Sequence, residues 1–248
     1  MRAPPRSTDG ARTALARRPR DAATLVIVDR TTHAPKILMG RRRPDQVFLP
    51  GTWVFPGGRV EAADRTLARR HTLPAAECEG LKVAMRGRVS DLRASALALA
   101  AVRETYEETG FIIGAPEGDV RPAAGDAWHA FHAEGFAPRL DDLAFFARAI
   151  TPPGRPRRYD TRFFLVDAAR VAHRVERTDG ELLDIGWFTV SEAEGLELPS
   201  ITRRVIGDLA TLLERNVAML SDDVPFYVER HGRLERTLLA RAIAPRTV

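Results

Sequence analysis

The chain has 248 residues, of which 44% are hydrophobic and 29% are charged, so its composition indicates a soluble folded protein and excludes a disordered or fibrous one. Its net charge is +5 and its basic side chains are almost all arginine, whose planar guanidinium suits phosphate oxygens. The single cysteine, Cys78, excludes an intrachain disulfide, and no segment approaches the roughly 20 apolar residues of a membrane span, so we expect a cytoplasmic protein without a membrane partner.

The first half of the chain predicts strands that lead into a glycine-rich turn. Residues 1–20, rich in arginine and proline, predict a flexible basic arm. β-branched apolar runs predict strands at 22–28 and 36–40, and a short strand at 53–55 runs directly into Gly57 and Gly58. Residues 64–88 have an interrupted helical character. A longer helix follows, with Ser90 or Asp91 as its cap and Gly110 as its end, and a strand resumes at 111–113.

The second half alternates strands with helices. A short helix is predicted at 126–133, and strands are predicted at 143–150, 161–166 and 182–190. A short helix begins at Ser191, and residues 201–215 predict an amphipathic helix. Residues 221–248 are expected to form a C-terminal extension packed on the domain. Strands interspersed with two main helices predict an α/β fold with a mixed sheet between helices.

Three glutamates gather on one side of the longer helix. Glu104, Glu107 and Glu108 are spaced i, i+3 and i+4, and Arg103 reaches Glu107 at i+4. Because like charges at this spacing repel one another, cations or arginine must neutralise them. Hard oxygen ligands gathered in this way suit Mg²⁺ or Mn²⁺. The alternative is a solvated acidic helix face.

The segments VFPGGRVEAAD (54–64) and AVRETYEETGF (101–111) together resemble the two halves of the Nudix box. Five residues separate Gly58 from Asp64, as in the family pattern, and residues 103–110 match its second half in register. The chain departs from the pattern at three points. Asp64 replaces a glutamate, Thr105 replaces an aliphatic residue, and about 38 residues, rather than a short spacer, separate Asp64 from Arg103.

An insertion at this place is similar to that of a Nudix subgroup that includes the animal peroxisomal coenzyme A diphosphatase. RRRPDQVFLPGTWVFPGG (41–58) and PRRYDTRFFLVDA (156–168) also resemble stretches of that subgroup. The resemblance implies a Nudix α/β/α sandwich over residues 21–220, with a helical insertion at about 65–94.

The resemblance also implies roles for the matching residues. The cofactor would be Mg²⁺ or Mn²⁺, and the implied reaction is metal-assisted hydrolysis of a diphosphate. The implied metal ligands are the Gly57 carbonyl, Glu104, Glu107 and Glu108. The implied catalytic residues are Arg103, Glu107 and Glu108, with Gly58 and Asp64 in support. Candidates for a second general base are Glu176, Glu181 and Asp184.

Substrate recognition is less constrained by the sequence. Arg41, Arg157 and Arg158 are candidate substrate contacts, with solvated loops or internal pairing as the alternative. The resemblance favours coenzyme A or acyl-CoA as the substrate, with NADH, ADP-ribose or another nucleotide as alternatives. An RNA-binding protein on a Nudix scaffold is a third hypothesis, which the three intact glutamates disfavour. We therefore expect a small nucleotide-derived partner and no nucleic acid, and the sequence leaves a homodimer open.

Overall fold

The structure is a computed structural model that describes residues 18–46, 49–117, 127–176, 181–214 and 223–240. The predicted basic arm therefore lies almost wholly outside the described residues, and residues 221–222 and 241–248 of the predicted C-terminal extension lie outside them too. None of the helices within these ranges has the length and apolarity needed to cross a membrane.

The strands and helices expected from the sequence are present in the expected order. The strands are β1 (Arg20–Asp29), β2 (Lys36–Arg42), β3 (Trp53–Val54), β4 (Gly57–Arg59), β5 (Phe111–Ile112), β6 (Gly114–Pro116), β7 (Phe136–Pro138), β8 (Ala144–Ile150), β9 (Tyr159–Asp167), β10 (His173–Arg174), β11 (Leu182–Thr189), β12 (Asp223–Arg230) and β13 (Arg233–Ala240). The helices are α1 (Ala62–Leu67), α2 (Ala75–Lys82), α3 (Asp91–Thr109), α4 (His129–Ala133), α5 (Val190–Glu194) and α6 (Ser200–Glu214). The sequence did not predict the strands β4, β6, β7, β10, β12 and β13.

In the described part of the chain, nine strands form one mixed sheet. Its main order is β11-β2-β1-β9-β8-β12-β13, with β3 paired to β2 and β4 paired to β1. The central strand β1 runs parallel to β9 and antiparallel to β2 and β4. Successive side chains of β1 enter opposite cores, because strand residues alternate between the faces of a sheet. Leu25 and Ile27 pack in the core that contains α3, and Val26 and Val28 pack in the core that contains α6. The predicted α/β class, with a mixed sheet between helices, is confirmed.

The long helix α3 begins and ends where the capping residues predict. The Ser90 hydroxyl accepts a hydrogen bond from the Arg93 amide at 3.3 Å, as an N-cap serine does. Gly110 closes the helix in the left-handed region, at φ 74°, where a residue with a Cβ is strained.

Residues between the two halves of the box pack behind α3. Leu73, Cys78 and Leu81 belong to the same core cluster as the inner face of α3. Glu77, buried on α2, accepts a hydrogen bond from the Phe145 amide at 2.7 Å. This contact fastens α2 to the beginning of β8, so the segment is built into the domain against α3 and the sheet.

The C-terminal strands extend the sheet. β12 lies parallel to β8, and β13 returns antiparallel to β12. Tyr227 on β12 is buried, and its hydroxyl donates a hydrogen bond to Asp208 of α6. Arg236 of β13 donates to the same carboxylate at 2.8 Å. The hairpin is therefore bound to both the sheet edge and α6.

Candidate active site

The glycine-rich turn lies against both β1 and α3, at a distance that only glycine permits. A Cβ added at Gly57 would lie 2.5 Å from the Ala23 carbonyl oxygen. A Cβ added at Gly58 would lie 2.3 Å from the Glu104 Oε1 atom. Because both distances are shorter than real carbon contacts, glycine at these two positions lets β4 pair with β1 and lets the Glu104 carboxylate rest on the turn.

The three glutamates of α3 gather at this turn. The Gly57 amide donates a hydrogen bond to Glu108 Oε2 at 2.9 Å. Arg103 contacts the other two carboxylates, at 3.0 Å from its Nη2 to Glu104 Oε1 and 2.8 Å from its Nη1 to Glu107 Oε2. The predicted i,i+4 ion pair between Arg103 and Glu107 is therefore present.

The buried Asp64 side chain fixes the position of Arg103. The Asp64 carboxylate, which is fully buried, accepts hydrogen bonds from Arg103 Nε at 3.0 Å and from Nη2 at 3.1 Å. It also accepts from the Trp128 indole at 3.0 Å and from the Glu61 amide at 2.8 Å. A bidentate carboxylate fixes both the position and the plane of a guanidinium. Asp64 thus connects the first half of the box to the second across the intervening residues.

The unusual Thr105 is accommodated inside the helix. It is fully buried, and its hydroxyl donates a hydrogen bond to the Ala101 carbonyl at 2.7 Å. This bond satisfies the polar group, so a threonine can stand where the family pattern has an aliphatic residue.

Burial and mutual repulsion disfavour the charged form of the glutamates. Burial raises the pKa of Glu104 to about 7, with Glu107 adding to the rise and Arg103 opposing it. Burial also raises the pKa of Glu107. The pKa of Glu108 lies well above its ordinary value because of burial and the neighbouring Glu104 carboxylate. A cation would relieve this cost, because it favours the deprotonated carboxylates.

The donor set therefore fits a hard divalent cation in its chemistry. The glutamate oxygens, backed by the glycine turn, are ligands of the type that Mg²⁺ and Mn²⁺ prefer. In the arrangement that the structure gives, these oxygens contact Arg103 and the Gly57 amide. Within the described ranges, no group of three or more acidic, histidine or cysteine side chains is assembled at metal-binding distance.

The glutamates open onto a cleft of about 610 Å³. The cleft is bounded by the glycine turn and α3, and further by residues of β1, β2, β4, β9, α6 and the loops beside them. The charged and aromatic residues outside α3 are Arg42, Phe55, Arg59, Glu61, Arg157, Tyr159, Phe163 and Glu181.

The other sequence candidates fall at different places. Arg157 lines this cleft. Arg41 instead forms an ion pair with Asp184, and neither residue is among those that line the cleft. Arg158 donates from Nε to the Thr151 carbonyl at 3.1 Å and lines a neighbouring pocket. Glu176 is exposed.

The sequence placed one of Arg41, Arg42 and Arg43 at a substrate phosphate and favoured Arg41, whereas Arg42 is the one that lines the cleft; the support from Trp128 was missed. Arg42 is half-buried in the cleft, and its Nη2 lies 3.7 Å from Glu181 Oε2. Because adjacent residues of a strand point to opposite sides, alternation along β2 could have separated Arg42 from Arg41. No comparable signal pointed to Trp128, which is 64 positions from the carboxylate it contacts.

No family model matches the chain. Individual proteins do match it, and two of them are named as an acyl-coenzyme A diphosphatase and a nudix hydrolase. The acyl-coenzyme A diphosphatase of Gallus gallus is 27% identical over 207 residues, covering 64% of this chain and 55% of that protein. A nudix protein of Caenorhabditis elegans is 27% identical over 157 residues, covering 59% of this chain and 44% of that protein. The chain thus spans about half the length of these two relatives.

Among solved structures, the chain is similar to a NUDIX hydrolase from Alicyclobacillus acidocaldarius. The superposition has a TM-score of 0.59 at 28% sequence identity, and it covers 77% of this chain and 91% of that one.

Proposed function

We propose that this chain, which has the Nudix fold and resembles the Nudix hydrolases in sequence, is a diphosphatase that uses Mg²⁺ or Mn²⁺ to hydrolyse a nucleoside diphosphate derivative. The observation that carries this proposal is the placement of three glutamates at the glycine turn, Glu108 buried and Glu104 and Glu107 partly buried, at the base of a cleft of about 610 Å³. Burial makes the charged form of these glutamates costly, and acidic groups perturbed in this way are typical of functional sites such as a catalytic cation site.

Glu104, Glu107, Glu108 and the Gly57 carbonyl would hold the cation. Once bound, a divalent cation would neutralise phosphate oxygens and activate water for attack on phosphorus. Arg103 fixes the orientation of Glu107, and Asp64 fixes Arg103 through two hydrogen bonds. Asp64 and Arg103 thus support the proposed cation ligands from the buried side of α3.

Other residues of the cleft would contact the substrate and the attacking water. Arg42 and Arg157 supply guanidinium groups to the diphosphate, which offset its negative charge. Of the three candidates for a second base, Glu181 lines the cleft, so we assign proton removal from the attacking water to its carboxylate.

The substrate that we favour is coenzyme A or an acyl-CoA. Two observations support it: the named activity of the Gallus gallus relative, and the stretches 41–58 and 156–168, which resemble the same subgroup. NADH and ADP-ribose are the alternatives, since the same cation site would serve them. A cytoplasmic location and a homodimer stay predictions.

The test is hydrolysis by the purified full chain with Mg²⁺ or Mn²⁺, supplied with coenzyme A, acetyl-CoA, NADH and ADP-ribose in parallel. Formation of 3′,5′-ADP and phosphopantetheine supports coenzyme A as the substrate, whereas two mononucleotides from NADH support the alternative. Cation-independent RNA binding without turnover of any compound would overturn the enzymatic proposal.

Glu108→Gln tests the residue assignment. Loss of a residue that hydrogen-bonds a metal ligand lowers metal affinity or activity by up to about 100-fold. Loss of the ligand itself should therefore lower kcat/KM by roughly 100-fold or more. Glu194→Gln, the same change at an exposed position of α5, should keep full activity. Unchanged turnover in Glu108→Gln would remove Glu108 from the mechanism.

A further inference from the structure

A second pocket, strongly basic, adjoins the cleft. Its volume is about 620 Å³, and none of the described residues that line it is acidic. We call it the arginine pocket, because five arginines and one tyrosine line it. These residues are Arg18, Arg20, Arg59, Arg157, Arg158 and Tyr159.

Sheet pairing brings these residues together from three remote segments. Arg20 begins β1 and lies in register with Tyr159, which begins the parallel strand β9. The Arg20 amide donates to the Arg158 carbonyl at 2.9 Å, which continues the pairing into the loop before β9. Arg59 ends β4, where it lies in register with Ala22 of β1. The pocket therefore rests on backbone pairing at the end of the sheet.

The charge of the pocket points to an anionic ligand. Guanidinium groups that surround one cavity repel each other, and a bound anion relieves this repulsion. Arg59 is partly offset by Glu61, at 3.0 Å, but Glu61 does not line the pocket. Arginine forks match the oxygens of a phosphate group better than a lone ammonium does. A phosphate monoester, with its high charge on a small group, fits such a site.

The arginine pocket is continuous with the cleft. Arg59, Arg157 and Tyr159 line both cavities, so a single ligand can extend from one into the other. We propose that the arginine pocket binds a phosphate monoester on the same molecule whose diphosphate is hydrolysed in the cleft. This inference rests on the function proposed above and narrows the substrate class to nucleotides that carry a ribose phosphate besides the diphosphate.

Pairs of compounds that differ only by that monoester test the proposal. Coenzyme A is compared with 3′-dephospho-coenzyme A, and NADPH with NADH, by kcat/KM at fixed Mg²⁺. We expect the phosphorylated member of the accepted pair to be preferred by about tenfold or more, the ratio that one net charge-assisted contact supplies. The preference should fall as salt is raised, because four of the five arginines, all but the half-buried Arg158, are exposed.

The double substitution Arg18→Gln/Arg20→Gln removes two charges from the pocket but keeps the backbone pairing of Arg20. It should lower the preference ratio by about fivefold or more. Arg69→Gln/Arg70→Gln removes the same charge from exposed positions that do not line the pocket, so it should leave the ratio as in the unmodified chain. Equal loss in both variants, or no loss in the first, would overturn the pocket assignment.

A binding measurement separates this proposal from the proposed function. In EDTA, calorimetry with adenosine 3′,5′-bisphosphate and with AMP reports the pocket without turnover. Tighter binding of the bisphosphate that is lost in Arg18→Gln/Arg20→Gln supports the pocket. Equal affinity for the two nucleotides contradicts it. Absence of turnover with every compound would instead contradict the proposed function, whatever the binding result.

Discussion

Asp64→Asn tests the support beneath the glutamates with almost no change in shape. The carboxylate of Asp64 accepts from four donors, and Arg103 supplies two of them. An asparagine oxygen can replace one carboxylate oxygen, but its amide nitrogen must then face donors, whichever way the side chain is turned. If that nitrogen replaces Oδ2, for example, it faces Arg103 Nη2 and the Glu61 amide.

The expected cost follows from the burial of the pair. Asp64 is fully buried and Arg103 is 2% exposed, and removal of one partner from such a pair costs about 3–5 kcal/mol. Because Arg103 keeps its contacts with Glu104 and Glu107, we expect a loss of about 3 kcal/mol in the free energy of unfolding. Asp64→Glu restores the residue usual in the family. It should still cost about 1–3 kcal/mol, because the side chain is fully buried and an added methylene must displace its packed neighbours.

Urea unfolding of the full chain measures both variants. Asp45→Asn is the matched control, since Asp45 pairs with Arg43 at 3.3 Å on the exposed surface and its loss should cost at most about 1 kcal/mol. If Asp64→Asn lowered the free energy of unfolding no more than Asp45→Asn does, the reasoning that Asp64 anchors Arg103 would be refuted.

Two further predictions concern the glutamates directly. Gly58→Ala should displace the Glu104 side chain and sharply reduce Mg²⁺-dependent turnover. Thermal unfolding should change little, because the added methyl group clashes with a movable carboxylate. The control Gly207→Ala, on α6 with open space around it, should keep full activity, and equal activity in the two variants would contradict this account. Without metal, the stability contributed by protonated Glu104 is present below its ordinary pKa near 4.5 and is lost as pH rises through about 7. In EDTA, urea unfolding should therefore show a larger loss of stability between pH 5 and pH 8 for the unmodified chain than for Glu104→Gln, and Mg²⁺ should reduce that loss. Equal losses in EDTA would show that Glu104 does not titrate in this range.

The sequence by itself determined the local geometry of the site. The helix period places Glu104, Glu107 and Glu108 on one side and brings Arg103 to Glu107, because contacts at i+3 and i+4 depend only on the helix itself. Ser90 and Gly110 likewise predicted the ends of α3, since capping depends on a few adjacent residues. The resemblance to the Nudix box added the partnership between this helix and the glycine turn.

Only the tertiary structure decided which remote groups meet. The distances between Asp64 and Arg103, or between Trp128 and Asp64, depend on how the residues between them fold and pack, and no local period encodes that. The convergence of Arg20, Arg59 and Arg157 likewise comes from strand pairing across the sheet. Local sequence patterns determine whether a segment forms a helix or a strand, whereas the burial of apolar surface between segments determines which of them pack together.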